Sequence, residues 1–335
     1  MKKILILGDG AWGTALGIYL YKLKNKVTIW GNFPEYIKFL KEKRENIKFL
    51  PGVLIPREID FTADLNKYLD SNYIIVAVPI RFMREVLKKI DKTKVKNKLF
   101  IVVSKGIENN TLLRGTEIVK SILEDVKIGG LFGPSHAEEV AREIPTAVVA
   151  TAEKEKDAKE IQDLFFSKNF RVYINLDLIG VELGAALKNV IAIAVGICDG
   201  LGFGENTKAA LITRGIVEIA RFGKIMGANP ETFYGLSGLG DLIATAFSKF
   251  SRNRYVGERI GKGEKLSDIL SSMEQVAEGV WTVKSVVDLS KKMKIEMPIS
   301  FKVYQILFEN LDPLKAVEDL MMREKKREYI LMGER

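Results

Sequence analysis

Residues 4 to 13 read ILILGDGAWG, four apolar residues followed by Gly8, Gly10 and Gly13 in a GxGxxG array, and the small apolar run TALGIYL continues from there. A buried parallel strand that turns sharply into a helix needs this pattern. Gly8 permits the tight turn, Gly10 lets a diphosphate approach the backbone, and Gly13 lets the helix pack on its strand. The start of that helix offers unpaired N–H groups and a partial positive charge to the diphosphate. A bare GxGxxG is weak evidence, since a purely structural turn in another doubly wound sheet has the same spacing, so the context decides. The apolar segment Val27 to Trp30 falls where a second parallel strand should lie, completing one strand, helix, strand unit. The chain is therefore expected to open with a dinucleotide-binding domain.

Asp9, between the first two glycines, places an acid close to where an anion would sit, and its side chain is expected to turn toward solvent. Cofactor choice is read at the end of the second strand, where an acid bonds the ribose hydroxyls and a base accepts a 2′-phosphate. The sequence there is WGNFPE, with uncharged Asn32 in the deciding region. Glu35 lies too far along, and Lys38 or Arg44 would have to fold back, so NAD and NADP both stay open.

At 335 residues and 47% hydrophobic content, the chain is long enough for two domains with real cores. It shows no basic-then-apolar leader, so export is not expected. The single Cys198 cannot form an internal disulfide, and no Cys/His cluster is spaced for a metal. A reducing cytoplasm is the simplest compartment. Leu178 to Cys198 is apolar enough to resemble a membrane span, yet it carries Glu182, Lys188 and Asn189. An ionised residue near the centre of a spanning helix costs about 2.5 to 3.5 kcal/mol, so a buried core helix and no membrane insertion are expected. The net charge of +9 is spread among interleaved lysines and glutamates without a basic-aromatic pattern, which argues against nucleic acid and for a solvated surface. A positive field also favours a phosphorylated substrate.

Strand-like runs recur at Tyr73 to Val78, Leu99 to Val103, Gly129 to Phe132, Thr146 to Ala150 and Arg171 to Ile174. Helical patterns such as Arg81 to Ile90 and Leu112 to Leu123 separate them. This alternation predicts a parallel sheet covered on both faces, an α/β domain over residues 1–177. From residue 178 to 335 the pattern is helical, predicting an all-helical substrate-binding and catalytic domain. Open α/β sheets bind ligands at the carboxyl ends of their strands. Lys105 follows five apolar strand residues there and is expected to meet a substrate or phosphate.

The sharpest anomaly is Lys188 with Asn189, inside about twenty apolar or small residues. An ammonium buried without a partner loses its charge easily, which suits proton transfer to a substrate oxygen. Asp241 and Thr245 are four apart and share a helix face, so they can converge on one ligand. Arg252 and Asn253 put a guanidinium fork beside an amide, a combination suited to a phosphate ester.

At these residues the chain resembles the bacterial-type NAD(P)-dependent glycerol-3-phosphate dehydrogenases. The matching segments are GDGAWGTALG at 8–17, SKGIE at 104–108, GPSHAEE at 133–139 and GAALKNVIAIAVGICDGLGFGENTKAALITRG at 184–215. GLSGLGDLIATAFSKFSRNRYVG at 235–257, AEGVWT at 277–282 and MPIS at 297–300 continue the series. The resemblance implies that Lys188 is the catalytic lysine, that Lys105 contacts both substrate and cofactor, and that Asp241 joins them in the catalytic set. It further implies substrate contacts at Gly133, Ser135, Asp241, Ser251, Arg252 and Asn253, to which the pattern of the residues themselves adds Asn189 and Thr245. Ala11, Trp12, Asn32, Ala137, Arg252, Val276 and Glu278 would touch the dinucleotide beside Gly8, Gly10 and Gly13. His136 stands where the pattern has an aromatic, and AFSK at 246–249 is looser than usual.

The implied reaction is reversible reduction of dihydroxyacetone phosphate to sn-glycerol 3-phosphate, with a homodimer and supply of the phospholipid backbone as further implications. Three other readings stay in view. One is a dehydrogenase of 2-hydroxy acids or sugar phosphates, one a non-catalytic dinucleotide sensor, and one a basic nucleic-acid-binding protein.

Overall fold

The computed structural model describes residues 1–325 and 327–328. The chain divides into two compact units: Met1–Lys105 with Leu113–Leu178, and Gly106–Leu112 with the chain from Ile179 onward.

The first unit is built on β1 (Lys3–Leu7), β2 (Lys26–Trp30), β3 (Glu45–Asn46), β4 (Leu50–Leu54), β5 (Asp60–Thr62), β6 (Tyr73–Val76), β7 (Leu99–Val102), β8 (Lys127–Phe132), β9 (Thr146–Ala152) and β10 (Phe170–Ile174). Eight of these form one sheet in the order β10-β9-β8-β7-β6-β1-β2-β5, with a helix between each successive pair of its strands except β5 and β6. The first strands step outward from β1 through β2 to β5, and the chain then returns to β6 on the other side of β1. The order reverses at β1 and β6, which is the switch point where doubly wound sheets take their ligand. Every residue of β6 and β7, and Ile4 to Leu7 of β1, is buried, as continuous apolar strands covered on both faces require.

Two features depart from the expected sheet. β9 runs antiparallel to β8 and β10 pairs parallel with β9, so these two strands run opposite to the parallel set from β8 to β5. The stretch between Trp30 and Tyr73, where no strand was expected, contains β5 at the sheet edge and an antiparallel hairpin of β3 with β4.

The hairpin has a structural function. Fully buried Asn46 in β3 donates from Nδ2 to the Asp9 carbonyl (2.8 Å) and to Thr14 Oγ1 (2.7 Å), and its Oδ1 accepts from Tyr36 Oη and the Phe49 N–H. A residue 37 positions downstream thus fixes the glycine turn.

The second unit is helical; among the described residues no strand follows Ile174. Its axis is the helix Leu178–Gly200, buried continuously from Gly180 to Cys198. By length and composition alone that helix could cross a membrane, but its side chains form the centre of the unit's apolar core. Neighbouring backbones approach it closely wherever glycine leaves room. A Cβ on Gly196 would lie 2.1 Å from the Arg254 carbonyl oxygen, and one on Gly257 would lie 2.1 Å from that of Ile193. Gly200 and Gly261 repeat the contact one turn on, so the helices Leu178–Gly200 and Arg252–Gly261 meet backbone to backbone. Cys198 on this axis is buried, and desolvation pushes its thiol up to about 11, so it is a packing residue rather than a thiolate nucleophile.

Segment Gly106–Leu112 belongs to this unit. Ile107 is 2% exposed within its core, Asn109 Nδ2 donates to the Trp281 carbonyl (3.0 Å) and to Ser285 Oγ (2.8 Å), and Ser285 Oγ donates to the Ile107 carbonyl.

Glu218, wholly buried on the helix Glu205–Ile225, caps another helix from a distance. It accepts from the N–H groups of Ile299 (2.8 Å) and Ser300 (2.9 Å) and from Ser300 Oγ (2.7 Å), at the start of Pro298–Phe308. Pro298 takes the first helical position, where no N–H is needed. This accounts for the MPIS segment. Burial holds the Glu218 carboxyl above its ordinary value against these three donors. The folded chain therefore keeps that proton more tightly than the unfolded chain, and the Glu218 contribution to stability falls as pH rises from 4.5 through the raised folded value. Glu218→Gln leaves one donor facing an amide N–H, with an expected loss of about 1–3 kcal/mol. Urea midpoints measured from acid to neutral pH should be lower for the variant, and its pH dependence over this range should be flatter.

Candidate active site

The glycine turn fits a dinucleotide. Gly8 has φ +123°, and a Cβ there would press on the Ala77 backbone just beyond β6 at 2.9 Å. A Cβ on Gly13 would sit 2.0 Å from the Gly8 carbonyl oxygen, so the third glycine lets helix and strand touch. A Cβ on Gly10 would meet nothing within 4 Å: that face is open, as close approach of a diphosphate demands. The helix Ala11–Lys22 begins there with no side-chain cap at Gly10, so its first N–H groups are left to an anion. Ala11 is buried and Trp12 half-buried at this end, and Ala137 is buried at the start of the short helix Ala137–Val140.

Asp9 does not turn toward solvent. Its carboxyl lies against Gly31, the first residue beyond β2, where Oδ2 would be 2.3 Å from a Cβ. That oxygen is buried and has no hydrogen-bond partner. Burial raises the Asp9 carboxyl above its usual range, while its own backbone N–H and the field of Lys48 act the other way. Asn32 is exposed, with Lys89 Nζ 3.4 Å from its Oδ1. Arg44 does not fold back to the ribose end: its guanidinium donates to the carbonyls of Ile59 (2.7 Å) and Pro56 (3.4 Å).

At the carboxyl ends of β7 and β8, Lys105 Nζ (2.9 Å) and Ser135 Oγ (3.0 Å) both donate to the Gly133 carbonyl. Gly133 has φ +136°, which turns the chain sharply after β8. These three expected substrate residues are therefore neighbours.

In the helical unit, Lys188 Nζ donates to Asp241 Oδ1 at 2.9 Å and to Thr245 Oγ1, and Thr245 Oγ1 lies 3.4 Å from the same carboxylate oxygen. Lys188 is 5% exposed, Asp241 2% and Thr245 3%. The i, i+4 pair on the helix Asp241–Phe247 does share one face, and the group on which it converges is the Lys188 amine. The expectation of an unpartnered amine is corrected: an opposite charge in contact favours the ammonium.

Beside it, Asn189 Oδ1 accepts from Asn253 Nδ2 (2.9 Å), and Asn253 Oδ1 accepts from the Gly279 N–H (2.9 Å). This chain holds the residue next to Lys188 to the first turn of the helix Glu278–Met293. Ser251 caps the helix Arg252–Gly261 by accepting from the Arg254 N–H, and Arg252 is exposed at the helix's first position. Glu278 opens its own helix and Val276 precedes it, both half-buried.

Sequence reasoning missed the braces. Asp199 accepts from Arg254 Nε (2.7 Å) and pairs with Lys208 (3.2 Å), tying together the helices Leu178–Gly200, Arg252–Gly261 and Glu205–Ile225. Asp199 and Lys208 lie in the quoted DGLGFGENTK segment, but nothing in their spacing announced the pair.

Residues 3–158 match the NAD-dependent glycerol-3-phosphate dehydrogenase N-terminus, and residues 177–318 match the C-terminus of the same family. The chain is 49% identical to a glycerol-3-phosphate dehydrogenase (NAD(P)+) of Bacillus pumilus (strain SAFR-032), over 98% of this chain and 96% of that protein. It is 48% identical to one from Thermoanaerobacter sp. (strain X514), over 97% and 98%. A crystal structure of glycerol-3-phosphate dehydrogenase from Coxiella burnetii superposes with TM-score 0.92 at 36% identity, covering 96% of this chain and 99% of that one.

Proposed function

The chain belongs to the NAD-dependent glycerol-3-phosphate dehydrogenase family, and from that premise we infer that it reversibly reduces dihydroxyacetone phosphate to sn-glycerol 3-phosphate with NADH or NADPH. The observation that carries the chemistry is the buried ammonium of Lys188, held between Asp241 and Thr245.

Reducing a ketone adds a hydride to carbon and a proton to oxygen. The nicotinamide supplies the hydride when bound. Lys188 supplies the proton, its N–H directed at the carbonyl oxygen as alkoxide charge builds there. Asp241 and Thr245 fix the direction of that N–H before the substrate arrives, so no reorganisation is needed while charge develops. After transfer, the amine faces an uncompensated carboxylate, which draws a proton back from water. In the oxidising direction the neutral amine takes the hydroxyl proton. Asn189, anchored through Asn253, is placed to hold the same oxygen.

Arg252, Asn253 and Ser251 are assigned to the phosphate. Ser251 accepts its capping bond and retains its O–H to donate, and the start of the ten-residue helix Arg252–Gly261 favours an anion. The binding energy of the phosphate serves to position the ketone. Lys105, Gly133 and Ser135 are assigned as further substrate contacts. Gly8, Gly10, Ala11, Trp12, Gly13, Asn32 and Ala137 are assigned to the dinucleotide, with Lys105, Arg252, Val276 and Glu278. A homodimer working in the cytoplasm, apart from membranes and nucleic acid, completes this reading.

The test is spectrophotometric. Nicotinamide oxidation should require dihydroxyacetone phosphate, and in reverse glycerol 3-phosphate should reduce the oxidised cofactor where 6-phosphogluconate and lactate do not. Turnover of lactate or 6-phosphogluconate in its place would assign another dehydrogenase.

A further inference from the structure

We propose that Asp9 sets the cofactor preference toward NAD(H), acting from the glycine turn as the ribose-binding acid that the end of β2 lacks. The inference rests on the dinucleotide reading above and deepens it.

In this fold the adenosine ribose is read by the residue just past the second strand. That stretch of this chain is Gly31 and Asn32, with no carboxylate of its own. The space Gly31 leaves is filled by the Asp9 carboxyl, which presses on the Gly31 Cα side so closely that any Cβ there would collide with it. An acid thus arrives at the selecting position in space, though not in sequence.

Its location is enforced. The Asp9 carbonyl accepts from buried Asn46, and the close approaches at Gly8 and Gly13 fix the turn on either side of it. Oδ2, the oxygen turned to Gly31, is enclosed and makes no hydrogen bond, while the residue as a whole is half-buried. A 2′-hydroxyl can donate to the other oxygen of this carboxylate. A 2′-phosphate has no proton to spare at neutral pH and brings like charge against it.

The basic groups nearby do not cancel this charge. Arg44 is engaged by two carbonyl oxygens. Lys89 and Lys48 are exposed, where solvent and salt screen them more than a half-buried carboxylate.

Fluorescence titration of the wild-type chain with NADH and NADPH, without substrate, reads the binding ratio directly. Asp9→Asn keeps the shape and removes the charge, and should shift the NADPH/NADH affinity ratio toward NADPH by about tenfold, from one unit charge at short range under partial screening. Asp9→Ser should shift it the same way and also weaken NADH, because the acceptor is lost. Structural damage to the turn would weaken both nucleotides alike and leave the ratio where it was, overturning the proposal. If the wild-type chain binds neither nucleotide, the dinucleotide reading falls and this inference with it. If it binds them and the ratio does not move, this inference alone fails.

Discussion

Lys188→Met is expected to lower kcat for dihydroxyacetone phosphate reduction by about 10³-fold or more, combining loss of a positioned proton donor with loss of charge beside the nascent alkoxide. The same change strips Asp241 of its cation in a site that is 2% exposed. Breaking a buried pair from one side costs about 3–5 kcal/mol, so the single variant will also be less stable. The two effects separate in the double variant Lys188→Met with Asp241→Asn. Removing the stranded charge should recover much of the urea midpoint and none of the turnover. A stably folded Lys188→Met enzyme with near wild-type kcat would remove the lysine from the mechanism.

Gly257→Ala should be strongly destabilising for a change of one methyl group. The new carbon would lie 2.1 Å from the Ile193 carbonyl oxygen and 2.9 Å from the Ile197 nitrogen. Both are backbone atoms in the middle of a buried helix, so no side chain can rotate away. The helices must separate, at an overpacking cost of about 1–3 kcal/mol or more. Separation also pulls Asn253 from Asn189, so kcat should fall with stability. Gly204→Ala meets nothing within 4 Å and should move the midpoint far less. Equal midpoints for the two variants would show that the glycine contact does not hold the helices.

Both predictions depend on positions that differed in how visible they were beforehand. The glycine turn is legible because its requirement is local: Gly8, Gly10 and Gly13 act within six residues of one another. Asp241 and Thr245 are legible through helical spacing, and Lys188 through its contrast with an apolar run. The ion pair between them is not, because it joins residues 53 apart whose meeting depends on how two helices pack. Strand direction escaped for a similar reason. TAVVATA in β9 would read the same run either way, and its antiparallel pairing with β8 is a property of the connection. β4 and β5 are short and carry Pro51 and Gly52 or a single buried Phe61, too little pattern to separate from a loop. Asp9 was misjudged because a lone acid in a turn is usually solvated. Its burial comes from the absence of a side chain at Gly31, just past another strand.

The excursion of Gly106–Leu112 has a practical bearing on recombination between relatives. Asn109 and Ile107 bond to Trp281 and Ser285, so these seven residues must co-vary with a stretch far along the chain. A chimera joined once near residue 178 would set one parent's segment against the other parent's helix. One that transplants residues 106–112 together with the C-terminal half keeps those partners matched.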